Sequence, residues 1–250
     1  MKANRFFILF LLLATPALGD DFKYHAPGTL TTPAAGQGHT GRLIYAPDIL
    51  FPVKLGDGEK SVINSQVYSP GGMNGGPGGQ CAAVNYTMPW SDVFCEKRTW
   101  NMPLCPTGKG HQGVDIRPST CKNAESTAVA VENGTIIDTD ADVSMIKLRG
   151  DSGRVYRYLH LDPPSFMVST RDRVNKGDPL GKISNLMNGA HQTTWHLHFD
   201  IQARVTSASG AAVVFVPPYS SLVAAYRRLK GIPPTDSNGM LNKDPARELD

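Results

Sequence analysis

TTWHLHFDI, residues 193–201, sets two histidines one residue apart inside an otherwise apolar run. Side chains in a strand alternate between faces, so Trp195, Leu197, Phe199 and Ile201 share one side while Thr194, His196, His198 and Asp200 share the other. The stretch therefore reads as a strand with one core face and one chemical face. Same-face neighbours lie about 7 Å apart, close enough for two imidazoles to lean toward one centre.

Upstream of this strand the chain is a series of short β-rich runs separated by turns. Residues 128–131 and 135–137 flank Glu132-Asn133-Gly134, whose Asn-Gly signals a hairpin. Residues 145–148 and 154–161 flank a second turn at 150–153, and Lys176-Gly177-Asp178 with Gly181 punctuates another pair of short strands. Such spacing predicts a mainly β fold, a compact antiparallel sheet or barrel, rather than a parallel sheet with crossover helices. One late helix is expected, capped by Ser220 or Ser221, turning Leu222, Val223, Tyr226 and Leu229 inward and stopped by Gly231 and Pro233. The tail beyond it is polar and expected to be loose.

The chain of 250 residues, 40% hydrophobic and 19% charged, is long enough to bury a real core and is not compositionally disordered. Lys2 and Arg5 precede an apolar run at residues 6–14, broken by Pro16 and followed by Ala17 and Gly19. That is the pattern of a secretory leader cut after Gly19, and the run is far short of the roughly 20 residues of a membrane span, so no stable membrane anchor is expected. Without residues 1–19 the formal charge falls from +3 to +1, which gives no general electrostatic reason to bind nucleic acid. Cys81, Cys95, Cys105 and Cys121 all lie in the exported part and contain no CxxC pair, so two disulfides are expected, with three pairings open.

Residues 26–41 are rich in Pro, Gly, Thr and Ala, the composition of a linker. The GQGHTG within them is a literal GxGxxG, but no apolar strand precedes it and no helical pattern follows, so the phosphate-binding reading is rejected and His39 is expected in solvated loop. Short strands near 49–53 and 62–68 precede a second Gly/Pro-rich run, SPGGMNGGPGG, ending at Gly79. The organisation expected is a leader at 1–19, an extension with short strands at 20–87, a main domain at 88–232 and a polar tail at 233–250.

Three further groups stand upstream of the two histidines: His111 and Asp115 in GKGHQGVDI, and His160 in RYLHL. A catalytic zinc site commonly takes three protein ligands from His and Asp or Glu and leaves a fourth position open. His111, Asp115 and one histidine of the HLH pair satisfy that count, and the remaining histidines are candidates for acid–base or oxyanion roles. In an extended strand His111 and Asp115 would stand about 13 Å apart, too far for one ion. The backbone must curl between them, through turn conformations open to Gly108, Gly110 and Gly113, or else form a helix. A disulfide from Cys105 or Cys121 would brace this loop.

In this order, HQGVD, Tyr158-Leu159-His160-Leu161 and HLHFD resemble the three motifs of the lysostaphin and LytM-type zinc metallopeptidases, and Val174, Gly177 and Gly181 fit the connection between the second and third. The resemblance spans residues 105–202. It implies a small antiparallel β domain, one zinc ion held by His111, Asp115 and His198, and catalytic assistance from His160 and His196. It further implies a secreted endopeptidase acting on the peptide stems of bacterial peptidoglycan, with a Gram-negative periplasm as the expected compartment. The alternative from another class is a non-catalytic LytM-like regulator that binds the wall and activates an amidase; a third is a disulfide-braced binding module. Two departures stand out: Asp200 replaces a frequent Glu, and NGAHQTTW replaces the usual Ser/Thr-Gly-Pro lead, adding His191 as an expected loop-surface residue.

Overall fold

The computed structural model describes residues 22–56, 58–207, 210–232 and 239–250. The leader read at 1–19 and Pro233 lie outside them. In chain order the strands are β1 (Tyr24–His25), β2 (Val62–Ile63), β3 (Val114–Arg117), β4 (Thr127–Val129), β5 (Gly134–Asp140), β6 (Met145–Gly150), β7 (Val155–Leu159), β8 (Leu161–Asp162), β9 (Arg173–Val174), β10 (Pro179–Ile183), β11 (Leu186–Met187), β12 (Ala190–His191), β13 (Leu197–Ser207), β14 (Gly210–Val216) and β15 (Glu248–Leu249), with helix α1 (Tyr219–Leu229) before β15.

Eight strands form the main sheet in the order β2-β3-β13-β7-β6-β5-β9, with β14 paired to β13 off that path. Its pairings are antiparallel. A second sheet has the order β4-β10-β8. The fold is mainly β with one α-helix among the described residues, as the strand spacing implied. No helix among those residues is long and apolar enough to cross a membrane.

β13 decides the arrangement. Leu197, Phe199 and Ile201 enter the core with Val114, Ile116, Tyr156 and Tyr158, each side chain contributing on the order of 1.5–3 kcal/mol on burial. Trp195 does not join them, because β13 begins at Leu197 and the Trp195 N–H is taken by Gln80 Oε1 at 2.8 Å.

Several local expectations are corrected. Asn133-Gly134 is not a hairpin tip: β4 pairs with β10 while β5 pairs with β6 and β9, so the dipeptide is the corner where the chain changes sheets. There the Asn133 side chain accepts the Lys176 N–H at 2.8 Å. The turn at 150–153 does join paired strands, β6 and β7. α1 is preceded by Pro218 with no side-chain cap; Ser220 and Ser221 lie inside the first turn, and Ser221 Oγ instead accepts the Ala46 N–H at 3.0 Å. Leu222, Val223 and Tyr226 are buried as expected, but Leu229 is 42% exposed.

The extension read at 20–87, the front section, is built into the core, since its Phe22, Tyr24 and Phe51 pack with Trp90 and with Tyr226 of α1 in one aromatic cluster. The tail is not loose where it is described: β15 pairs with β1, Leu241 is buried, and Glu248 bonds Arg42 through both carboxylate oxygens. A polar composition concealed these contacts because a few apolar anchors and a paired charge suffice to dock a short segment. His39 is partly covered rather than solvated, bonded to the Leu104 carbonyl at 2.9 Å and edge-on to Phe94. The cysteines pair Cys81–Cys121 and Cys95–Cys105.

Candidate metal centre

Asp115 on β3 and His198 on β13 are direct cross-strand partners. Directly opposed residues of an antiparallel pair project from the same face, so register alone brings Asp115 Oδ1 within 3.1 Å of His198 Nδ1. His111 reaches them by a bend at Gln112-Gly113 just before β3, not by a helix. Gly108 does adopt the left-handed conformation, at φ 69°, but Gly113 contributes space instead. A Cβ on Gly113 would run into the Phe199 carbonyl and stand 2.8 Å from Asp200 Cβ. Gly110 likewise admits the Cys95 backbone and Cys105 Sγ, which lets the Cys95–Cys105 disulfide press against the loop that carries His111.

His111 Nε2 lies 3.0 Å from His198 Nδ1 and 3.4 Å from Asp115 Oδ1. Donors at two corners of a zinc tetrahedron with bonds of about 2.0–2.1 Å stand roughly 3.3 Å apart, so this triangle has the dimensions of one face of such a site. His111, Asp115 and His198 are the group that could hold a metal ion among the described residues, and all three are buried.

His160 and His196 border the triangle. His196 Nε2 is 3.5 Å from Asp115 Oδ1, and the His160 and His196 rings are 4.6 Å apart between centroids. His160 follows the last residue of β7, and simple alternation would turn it away from Leu159, the partner of His198. Its left-handed backbone, φ 64°, breaks the alternation and returns the ring to the site. Ser184 holds that geometry by donating both its N–H, at 2.7 Å, and its hydroxyl, at 3.0 Å, to the His160 carbonyl.

Outer partners set the tautomers. A carbonyl only accepts, so Val93 O at 3.0 Å from His111, Leu186 O at 2.7 Å from His160 and Thr194 O at 2.8 Å from His196 each place the proton on Nδ1 and leave the Nε2 lone pair free. His198 is reversed, with Nε2 facing Asp200 Oδ2 at 3.2 Å and Nδ1 free for the triangle. Asp200 is itself fixed by Arg157, its cross-strand partner, whose Nε lies 3.0 and 2.9 Å from the two carboxylate oxygens; Arg157 also donates to Gln112 Oε1 at 3.1 Å. None of these carbonyls leaves a sequence signal, because any residue supplies one; Arg157 could have been found two positions before Leu159 in the Y-x-H-L strand.

These groups floor a cleft of about 850 Å³. One wall comes from the front section, including Gln66, Met73 and Gln80; Trp100 and Met187 stand at the rim. His191 is exposed on the same rim and hydrogen-bonded to Asn185 Oδ1 at 2.6 Å.

Residues 109–213 match Peptidase family M23. The match covers less than half of the chain and contains His111, Asp115, His160, His196 and His198. No curated protein matches the sequence. Among solved structures, lytM of Ruminococcus gnavus is similar at 20% identity and TM-score 0.45, over 74% of this chain and 63% of that one, so this chain spans less than two thirds of its length. The catalytic domain of the antimicrobial peptidase lysostaphin from Staphylococcus simulans is similar at 22% identity and TM-score 0.35, over 52% of this chain and 90% of that one. A zinc-containing peptidase from Vibrio cholerae is similar at 23% identity and TM-score 0.32, over 44% and 31%.

Within the M23 segment the triangle is electrostatically uneven. Burial drives the His111 pKa down to about 3, so its ring is neutral and its Nε2 lone pair is available. Burial also pushes His160 well below the usual imidazole range. Burial opposes ionisation of Asp115, but the adjacent imidazoles of His111, His196 and His198 outweigh it and hold the carboxyl well below its ordinary value. His198 goes the other way: burial lowers its pKa, but hydrogen bonds and charge from Asp115 and Asp200 raise it to about 9. A divalent cation held here would therefore take the place of one proton on His198.

Proposed function

We propose that this chain is an exported zinc-dependent endopeptidase that hydrolyses peptide cross-links of bacterial peptidoglycan. The observation that carries the reading is the meeting of His111 Nε2, Asp115 Oδ1 and His198 Nδ1 inside a family M23 segment, with two more imidazoles beside them. His111, Asp115 and His198 hold the ion, which when bound acidifies water and polarises the scissile carbonyl. His196 and His160 present unprotonated Nε2 atoms to the same space. One of them accepts the proton of the attacking water as the new C–O bond forms, and returns it to the leaving amine as the C–N bond breaks. The other lines the open side of the site beside the scissile carbonyl.

The peptidoglycan substrate rests on the resemblance carried by HQGVD, YLHL and HLHFD. Two disulfides are consistent with an oxidising compartment, and a Gram-negative periplasm fits both them and the leader pattern. All five chemical groups are intact, which argues against a regulator that has shed its ligands. The test is to incubate the mature chain with defined cross-linked muropeptides, with and without a chelator. Cleavage that stops on chelation and returns with zinc supports the proposal. No cleavage by the zinc-loaded chain, together with activation of an amidase, would make it a regulator.

A further inference from the structure

The strand register does not reach His196. Thr194 and Trp195 precede β13, and the His196 N–H meets the Ser184 carbonyl only at 3.4 Å. The local hold on this ring is Thr194, through its carbonyl at 2.8 Å and its hydroxyl at 3.3 Å from Nδ1.

Thr194 is in turn tied to the front section by a buried chain of polar groups. Its hydroxyl bonds Gln66 Oε1. Gln66 Nε2 donates to Asn64 Oδ1 at 3.1 Å, and Arg117 Nε donates to the same Oδ1 at 3.0 Å. Asn64 Nδ2 donates to the Asn85 carbonyl at 2.8 Å. Arg117, Asn64, Gln66, Thr194 and His196 are all buried.

The direction of this chain follows from one fact: a guanidinium can only donate. Arg117 therefore fixes Asn64 Oδ1 as an acceptor, which obliges Gln66 to point its amide nitrogen at Asn64 and its oxygen at Thr194. The Thr194 hydrogen then goes to Gln66, and its oxygen can only accept from His196 Nδ1–H. Every member is oriented by its neighbour, and the last is left with a lone pair on Nε2 facing Asp115. Gln80 adds a second tie by accepting the Trp195 N–H.

We propose that Gln66 is a positioning residue for His196: the front section sets the orientation of this ring through the Arg117–Asn64–Gln66–Thr194 relay, while the Thr194 carbonyl keeps the proton on Nδ1. The consequence for catalysis rests on the reading of His196 given above. The consequence for the ring does not. Loss of an outer hydrogen-bond partner of this kind costs on the order of 10-fold in activity.

The experiment uses the zinc-loaded mature chain and reads the His196 ring nitrogens by long-range proton–nitrogen NMR. The parent should show Nδ1 protonated and Nε2 unprotonated. In Gln66→Leu the His196 ring signals should shift and broaden as the ring samples further orientations, with the proton still on Nδ1 and zinc still stoichiometric; on muropeptides kcat should fall about 10-fold with KM changed less than about twofold. Thr194→Val should behave like Gln66→Leu, and Thr194→Ser should restore the parent ring signals, which keeps the test decisive even where Gln66→Leu fails to fold. Parent-like His196 signals in Gln66→Leu, or in Thr194→Val, would overturn the relay. A parent chain that cleaves no muropeptide would sink the proposed function alone, because the ring signals still decide the relay.

Discussion

β3 and β13 hold Asp115 opposite His198 by ladder register, and Asp200 opposite Arg157 is held the same way by β13 and β7. His160 and His196 border the same triangle from just outside β7 and β13, held by the Leu186 and Thr194 carbonyls and by the side chains of Ser184 and Gln66. The division matches the chemistry that the proposed function asks of each side. Groups that share one ion must keep spacings good to a few tenths of an ångström, which a sheet supplies without further parts. Groups that pass protons need a set tautomer and a place to move against substrate, which loop anchors can give.

The sharpest way to break this comparison is at the strand. His198→Ala should remove both zinc and hydrolysis, whereas His196→Ala should keep stoichiometric zinc and lose hydrolysis; metal analysis beside a muropeptide assay reads both. If His196→Ala also empties the site, the two sides are one unit and the division fails.

A smaller effect is expected one step out. Asp200→Asn weakens the acceptor on His198 Nε2, and zinc affinity should fall about 10- to 100-fold. The pH dependence has a definite sign. The His198 pKa in the ion-free fold is raised to about 9, so below that pH a proton competes with zinc. Affinity should fall roughly tenfold per pH unit on acidification below 9 and level off above it. The same shift makes the proton on His198 stabilise the ion-free fold fully below pH 6.5, a contribution lost as pH rises through 9. Competition titration with a chromophoric chelator at several pH values measures the affinity, and a pH-independent affinity would exclude His198 Nδ1 as a ligand.

The same contrast governs what the sequence could disclose. Alternation in WHLHFDI identified a strand with a core face and a chemical face, because period 2 is written directly in the residues. It does not say where the strand begins, and so places Trp195 in a core that this side chain does not enter. HxGxD named His111 and Asp115, but the role of Gly113 as space for the Phe199 carbonyl depends on a neighbour 86 positions away. The Asn133-Gly134 signal was local and the sheet change is not. Gln66, Asn64 and Arg117 looked like ordinary polar residues in and near a glycine-rich stretch. Their value lies in pairing across long sequence separations, which a single chain does not reveal.

On the loop side the glycine-rich run is clamped rather than free: Asn85 Nδ2 donates to the Pro70 and Gln80 carbonyls, and Cys81 is bonded to Cys121. Replacing both cysteines by serine should cost about 2–5 kcal/mol in urea unfolding while leaving the Asp115–His198 pairing intact. Zinc content should therefore survive under conditions where the variant is still folded. Loss of zinc from a folded variant would show that the ladder does not stand without the loop.

The smallest effect on stability is expected at Met73, 91% exposed on the front-section wall of the cleft. It lies outside the core and its truncation to Ala leaves no cavity, so unfolding should change by no more than about 0.5 kcal/mol. An exposed methionine beside this cleft has value only through what it touches there. If the front section forms part of the substrate groove, Met73→Ala should raise KM a few-fold with kcat unchanged, since a contact made equally before and during bond breaking affects binding alone. Unchanged KM would mean that this wall acts on His196 from behind and never meets the substrate, leaving the sheet side and the opposite rim to bind it.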